Sequence, residues 1–411
     1  MENKNIGHSH PFNMIVIVAA LGYFVDIYDL ILFGIVKDPS LRDLGVADGD
    51  MFSVGSYLLN MQMIGMLLGG IIWGIMGDKK GRLSTLFLTI LMYSLANIAN
   101  GFVQTVEQYA WVRFIAGLGL AGELGVGITL VSEVMTKERR GMGASIVSGI
   151  GIIGAVLGFL VADAFNWRIA YYVGGGLGLA LLVLRISVYE SGMFHRTKEE
   201  NVKRGDFLSL FTSRKRFVKY LLCILAGIPV WYAISQLAIN ASAYAKTGLV
   251  NGTIVGAQAV TLHYIGASVG SILFGYISER FRSRKKALLL SVALMTACML
   301  AYFLNTQTSP GIFYSVIGLM GVSMGGLWSI FMVSASEQFG TNLRATVTTT
   351  APNFVRGTTV LISICVSTLV PSVGLLSAGF YVGIVCVVVS LVAILYSTDT
   401  YGKDLDYHEL S

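Results

Sequence analysis

Two aspartates three residues apart, Asp26 and Asp29, stand in an apolar run from Pro11 to Val36 that carries no other charge. Three residues along a helix is about 4.5 Å and less than one turn, so both carboxyls share one face. A carboxylate at the centre of a membrane helix costs about 2.5–3.5 kcal/mol on insertion scales, so such residues persist there for a purpose. Two like charges in a low dielectric repel, and a pair of this kind suits the uptake and release of a proton. Arg113, in the fourth apolar run, lies at a depth similar to that of Asp29. The two could pair, which would favour ionised Asp29 and leave Asp26 as the more readily protonated member. Glu123, deeper in the same run and next to Gly122, suits a proton relay, a substrate contact or a hydrogen bond between helices.

A second set of candidates lies in the other half of the chain. Arg356, in APNFVRGTT, has no acid near it in sequence and should meet a carboxylate from another helix or from a substrate. Asn353 shares its helix face. Trp231, Tyr232, Gln236 and Asn240 combine aromatic bodies with hydrogen-bonding tips, which suits a small organic ligand, with interface anchoring as the alternative for the aromatics. Tyr23 and Trp328 complete the aromatic candidates. His263, alone in its run, either titrates near neutral pH or packs.

The elements that must position these residues are membrane helices. The 411 residues are 55% hydrophobic and 13% charged, against about 25% charged in soluble domains. Apolar runs at 12–36, 51–76, 83–103, 108–134, 142–164, 170–188, 217–245, 252–277, 287–304, 310–336, 346–370 and 372–396 predict twelve crossings. With a cytoplasmic amino terminus, 22 Lys and Arg fall on cytoplasmic segments and four, Lys37, Arg42, Arg168 and Lys246, on outer loops. This bias sets the orientation, with both termini inside. It also accounts for the net charge of +6 without a nucleic-acid partner; the partners expected are the lipid bilayer and a small-molecule substrate. The longest polar interruption divides an amino-terminal bundle (1–188) from a carboxyl-terminal bundle (217–396), with a cytoplasmic loop at 189–216 and a tail at 397–411. Cys223, Cys298, Cys365 and Cys386 all lie in apolar runs and are expected to be free and buried. The amino terminus lacks a cleavable signal pattern, so the first run should remain as a helix.

The halves repeat. Gly74, Asp78 and Lys79 recur 201 residues later as Gly275, Glu279 and Arg280, while Glu133 and Arg140 recur 204 residues later as Glu337 and Arg344. A constant offset with kept orientation means two parallel six-helix repeats. The segment Gly74–Arg82, with Gly74, Asp78, Lys79, Gly81 and Arg82 in place, resembles the loop signature between helices 2 and 3 of the major facilitator superfamily. That resemblance implies an all-α, twelve-helix membrane fold and a gating role for this loop, joined at the cytoplasmic face by Glu133, Arg140, Glu279, Arg280, Glu337 and Arg344.

The stretch RFIAGLGLAGE around Arg113, with Gly22, Asp26 and Asp29 in helix 1 and Asn166-Trp167-Arg168 before helix 6, is similar to the metabolite:proton and aromatic-acid:proton symporters and to the organic-ion and sialate carriers. The resemblance covers the amino-terminal half closely and the other half more loosely. It implies a coupling role for Arg113 and proton-coupled import of a small organic anion by a monomer using alternating access, with protons as the only coupling ion and no cofactor. Helix 5 has Gly149, Gly151, Gly154 and Gly158 but not the Gly-Pro pair of the superfamily's proton antiporters, which points to uptake. The short first outer loop, Lys37–Asp50, points to a bacterial cytoplasmic membrane. Two alternatives stand beside this reading. In one, the acids bind a cationic or zwitterionic solute such as an amino acid, a betaine or a nucleoside-like molecule. In the other the chain is a membrane sensor or enzyme, for which no catalytic grouping or metal-ligand cluster argues.

Overall fold

The computed structural model describes residues 14–80, 82–122, 140–190 and 207–403. Six helices are described in the first half: α1 (Met14–Asp43), α2 (Met51–Lys80), α3 (Arg82–Asn100), α4 (Val106–Leu120), α5 (Arg140–Ala164) and α6 (Trp167–Glu190). After the one-turn helix Ser209–Thr212 come α7 (Arg214–Tyr232), α8 (Gly256–Phe281), α9 (Arg284–Leu304) and α10 (Pro310–Gln338). The stretch Thr341–Tyr396 has helical backbone throughout except at Gly374, where φ is 77° and ψ 164°. Its 51-residue apolar span is far longer than the 20 or so residues that cross a bilayer. It is therefore two helices, α11 (341–373) and α12 (375–396).

Contacts with α7 fix their directions. Tyr220 bonds Thr350 and Gln236 bonds Ser363, so α11 runs parallel to α7; Tyr232 bonds the Gly379 carbonyl and Ser390 the Ala226 carbonyl, so α12 runs antiparallel. Gly374 takes the positive φ that this reversal requires at no steric cost. Within the first half α1 packs on α5 and α6, α2 on α4, and α3 on α4 and α6. In the second, α7 packs on α11 and α12, α8 on α10, and α9 on α10 and α12. Across the two sets, α2 meets α11 and α5 meets α8.

The repeat seen in sequence recurs atom by atom at two helix seams. A β-carbon on Gly65 of α2 would lie 3.0 Å from the Leu118 nitrogen of α4, and one on Gly266 of α8 would lie 3.0 Å from the Val322 nitrogen of α10. One on Gly117 would lie 3.1 Å from Gln62 Cα, and one on Gly321 would lie 3.0 Å from His263 Cα. The offsets are again 201 residues from α2 to α8 and 204 from α4 to α10. Glycine lets the backbones touch, which is how close parallel crossings form in lipid. The α9 and α10 starts are capped by Ser283, accepting from the Lys286 N–H, and Ser309, accepting from the Ile312 N–H.

Three local expectations need correction. α1 runs on through Pro39 to Asp43 rather than ending at Val36, because Lys37 and Asp38 find partners on the second half and need not leave the bundle. The seventh run is not a regular helix: Ala233–Ala238 and Ala245–Leu249 are wound with the wider π repeat, and Gly248 has φ 97°. Of the cysteines, Cys223, Cys298 and Cys386 are buried but Cys365 is exposed, since an apolar run presents one side to lipid and the other to the core.

Candidate functional site

The two aspartates of α1 are completely buried and act on each other electrostatically, and each also lies in the field of a different arginine. Asp26 lies in the electrostatic field of Arg356 from α11, together with Tyr23 of its own helix and Tyr264 of α8. The Arg356 guanidinium is 5.9 Å from the Trp231 ring centre and 5.7 Å from that of Trp328, so it sits between an indole of α7 and one of α10. Its Nη1 donates to Asn353 Oδ1 at 3.1 Å. Tyr23, on the α1 side, lies in the field of both Asp26 and Arg356 and beside Trp328. One acid, one guanidinium and four aromatics from five helices thus converge where the two sets of six meet. Such a centre can hold a small planar anion by ion pairing and stacking.

Asp29 turns into the first half. It lies in the field of Arg113 and beside Asn97 of α3. Gly174 of α6 leaves it room: a side chain there would collide with the carboxyl and with Tyr28. No hydrogen bond joins Asp29 to Arg113: among the described residues the Asp29 oxygens and all three Arg113 nitrogens have no hydrogen-bonding partner. Arg113 is held instead over the rings of Phe33 (5.4 Å) and Tyr171 (5.6 Å). Tyr171 and Tyr109 share a 2.7 Å hydrogen bond, and Tyr28 donates to the Ala170 carbonyl at 2.8 Å, which ties α1, α4 and α6 around the arginine.

The other sequence candidates divide. Tyr232 does not reach the centre: its hydroxyl donates to the Gly379 carbonyl and its ring fills the space beside Gly383 and Met299. Gln236 donates to Ser363 at 3.2 Å, with its Oε1 buried and unmatched. Asn240 accepts from the Lys37 ammonium at 2.8 Å, and Ser242 donates to Asp38 at 2.9 Å, which joins the two halves at the end of the bundle away from the basic loops. His263 is the α8 counterpart of Gln62 and packs in the α8–α10 seam, 3.3 Å from the Ile317 carbonyl. The Trp167 ring stacks on Tyr109 at 5.8 Å, Arg168 binds Asp43 at 3.1 Å, and Asn166 caps Ile169 at 2.9 Å, so this motif braces the same end.

At the basic end, Gly74 packs 3.6 Å from Thr350 of α11 by the β-carbon it lacks. Glu337 and Glu279 converge on Arg284, at 3.1 and 3.0 Å; Arg280 is exposed. Gly81, Glu123 and Glu133 lie outside the described residues, as do the side chains of Asp78, Lys79, Arg82, Arg140 and Arg344. Sequence reading missed Arg284, Tyr264, Lys37 and Asp38. In sequence Lys37 and Asp38 read as the start of the first outer loop, Arg284 as one basic residue among those of a cytoplasmic segment, and Tyr264 as one tyrosine of 19.

A bundle of apolar helices in two repeated sets, with a charged centre at their junction and bridges between the sets to either side of it, is the design of a multi-pass membrane carrier. The chain belongs to the Major Facilitator Superfamily: the family model matches residues 19–357 and, in a second register, 243–405. It is 27% identical to the "Probable 4-methylmuconolactone transporter" of Cupriavidus pinatubonensis over 79% of this chain and 76% of that one. Over 79% of both chains it is 26% identical to the sialic acid transporter NanX of Escherichia coli. To the benzoate transport protein of Acinetobacter baylyi it is 24% identical, over 82% of this chain and 77% of that one. The protein is thus a membrane transporter of small organic molecules and not an enzyme.

Proposed function

We propose that this transporter imports a small organic carboxylate together with protons across a bacterial cytoplasmic membrane, as a monomer with both termini in the cytoplasm. The observation that carries the proposal is the buried Arg356 guanidinium beside the Trp231 and Trp328 rings, within the electrostatic field of Asp26. In the empty carrier Asp26 balances Arg356. A proton on Asp26 releases the guanidinium, and the substrate carboxylate replaces the lost negative charge, so the buried centre is never left with an uncompensated cation. Asp29 and Arg113, close but not bonded, form a second place where a proton changes the charge balance. The relatives' named substrates, benzoate and sialic acid among them, include carboxylates and support the same reading.

The test is uptake by the purified protein in liposomes, with benzoate, nicotinate, sialic acid and proline betaine offered in turn. An inward proton gradient should drive accumulation of at least one carboxylate, and a protonophore should abolish it. Accumulation of the betaine alone would favour the second reading, a carrier of zwitterions or cations. One observation speaks for that reading: Arg356 already lies in the field of an acid of the protein itself, Asp26.

A further inference from the structure

Asn353 has every polar atom of its amide engaged, and its partners belong to both halves of the carrier. Its Oδ1 accepts from Arg356 Nη1 at 3.1 Å. Its Nδ2 donates to the Ala121 carbonyl, just beyond α4, at 3.0 Å and to the Thr349 carbonyl at 2.9 Å. The residue is 1% exposed. This assignment is the one that gives the amide two carbonyl acceptors for its N–H groups and a cationic donor for its oxygen; turned over, it would set N–H against guanidinium and oxygen against carbonyls. Gly70 of α2 closes the pocket around it, since a β-carbon there would lie 2.8 Å from Asn353 Cβ and 2.9 Å from Nδ2. Asn353 is one turn from Arg356 toward the basic end, the side on which α2, α4 and α11 come together. Two other contacts, Gly74 with Thr350 and Gly357 with Leu67, are apolar. The Asn353–Ala121 bond is therefore a polar tie across this closure that shares a side chain with the charged centre.

We infer that Asn353 is a positioning residue that transmits the occupancy of Arg356 to the closure at the basic end. While Arg356 holds Oδ1, the amide is oriented to tie α11 to Ala121. When a carboxylate draws the guanidinium away, the amide is free to rotate, the tie is lost and this side opens. The inference rests on the reading of Arg356 as the anion anchor, but its test needs no substrate.

A cysteine replaces Thr359, buried one turn beyond Arg356 on the same helix face, in a protein whose four native cysteines are changed to serine. Inside-out vesicles are treated with a membrane-impermeant thiol reagent and the labelling rate is measured. Asn353→Ala should raise the rate about fivefold, the worth of one hydrogen bond. Asn353→Asp keeps the shape and the acceptor for Arg356 but cannot donate to Ala121, and should act like Asn353→Ala; a role in packing alone predicts labelling at the native rate. Arg356→Gln should also speed labelling, and combining it with Asn353→Ala should add nothing further. The inference is overturned if Asn353→Asp labels at the native rate, or if the Arg356 and Asn353 effects multiply as independent terms. Failure of carboxylate uptake with these labelling results intact would sink the anion reading and leave the joint standing.

Discussion

The glycine seam between α8 and α10 offers a sharp physical test. At Gly321 a β-carbon would meet the His263 carbonyl carbon at 2.8 Å and Cα at 3.0 Å, against about 3.5–4.0 Å for unstrained carbon contact. The nearest obstructing atom is the His263 carbonyl oxygen and all of them are backbone, so no side chain can swing aside and the helices must part by about 1 Å or more, a gap that forfeits at least a quarter to a half of each contact well. At about 0.1–0.2 kcal/mol for each of roughly 30 atom pairs along such a seam, the loss is about 1–2 kcal/mol, in line with measured costs of overpacking at about 1–3 kcal/mol. Alanine returns up to about 1 kcal/mol through its better helix propensity.

Gly321→Ala should therefore lower the apparent melting temperature of the detergent-purified carrier, and its repeat counterpart Gly117→Ala should do the same. Gly275→Ala is the control: it lies in α8, the partner helix of this seam, but has nothing within 4 Å of its virtual β-carbon, so it should hold or raise the melting temperature. Tryptophan fluorescence during heating reads all three. If Gly321→Ala and Gly275→Ala shifted the transition equally, the seam would not be the close backbone contact described above.

Other outcomes follow from the charged centre and from the carboxyl-terminal segment. Asp26→Asn removes the counter-charge of Arg356 and should tighten carboxylate binding while abolishing its dependence on pH, read by equilibrium binding at two pH values; weaker binding with pH dependence kept would refute the division of roles. Arg356→Lys keeps the charge but loses the two-pronged geometry, and should weaken carboxylate binding about tenfold or more, the worth of a charged hydrogen bond at about 1.5–3 kcal/mol. Asp399 docks the segment after α12 onto the start of α9: it accepts from the Ser283 hydroxyl and from the N–H groups of Arg284 and Tyr401. Partial burial raises its pKa, but these hydrogen bonds outweigh burial and hold it below the ordinary carboxylate value. Its contribution is thus fully present above the unfolded-state pKa and lost as pH falls through the lower folded one. Proteolysis near residue 400 should accelerate in that acid range, and Asp399→Asn should cleave fast at every pH; a native-like rate for that variant would refute the docking role.

Much of this architecture is local information. Helix positions follow from apolar runs because lipid offers no partner for a backbone polar group, so each crossing must satisfy its own. The repeat was legible at offsets of 201 and 204 because the same helix seams are built twice. The inventory of costly charges, Asp26, Asp29, Arg113 and Arg356, could be read for the same reason: each is conspicuous against an apolar background.

Pairing was decided only by the tertiary structure. Asp26 and Asp29 share a helix face in sequence and still act on each other in the fold, yet Asp26 also lies in the field of Arg356 of α11 and Asp29 in that of Arg113 of α4, beside Asn97 of α3. Lys37 reads as a loop residue until Asn240, 203 positions away, supplies the acceptor that lets it stay buried. Arg284 reads as one more basic anchor until Glu279 and Glu337 close on it. The difference is physical. Hydropathy and spacing belong to a short stretch of chain, whereas a partner depends on how each helix is rotated about its axis and how far it slides along its neighbours. Those rotations and registers are set by glycine seams and side-chain packing between segments remote in sequence.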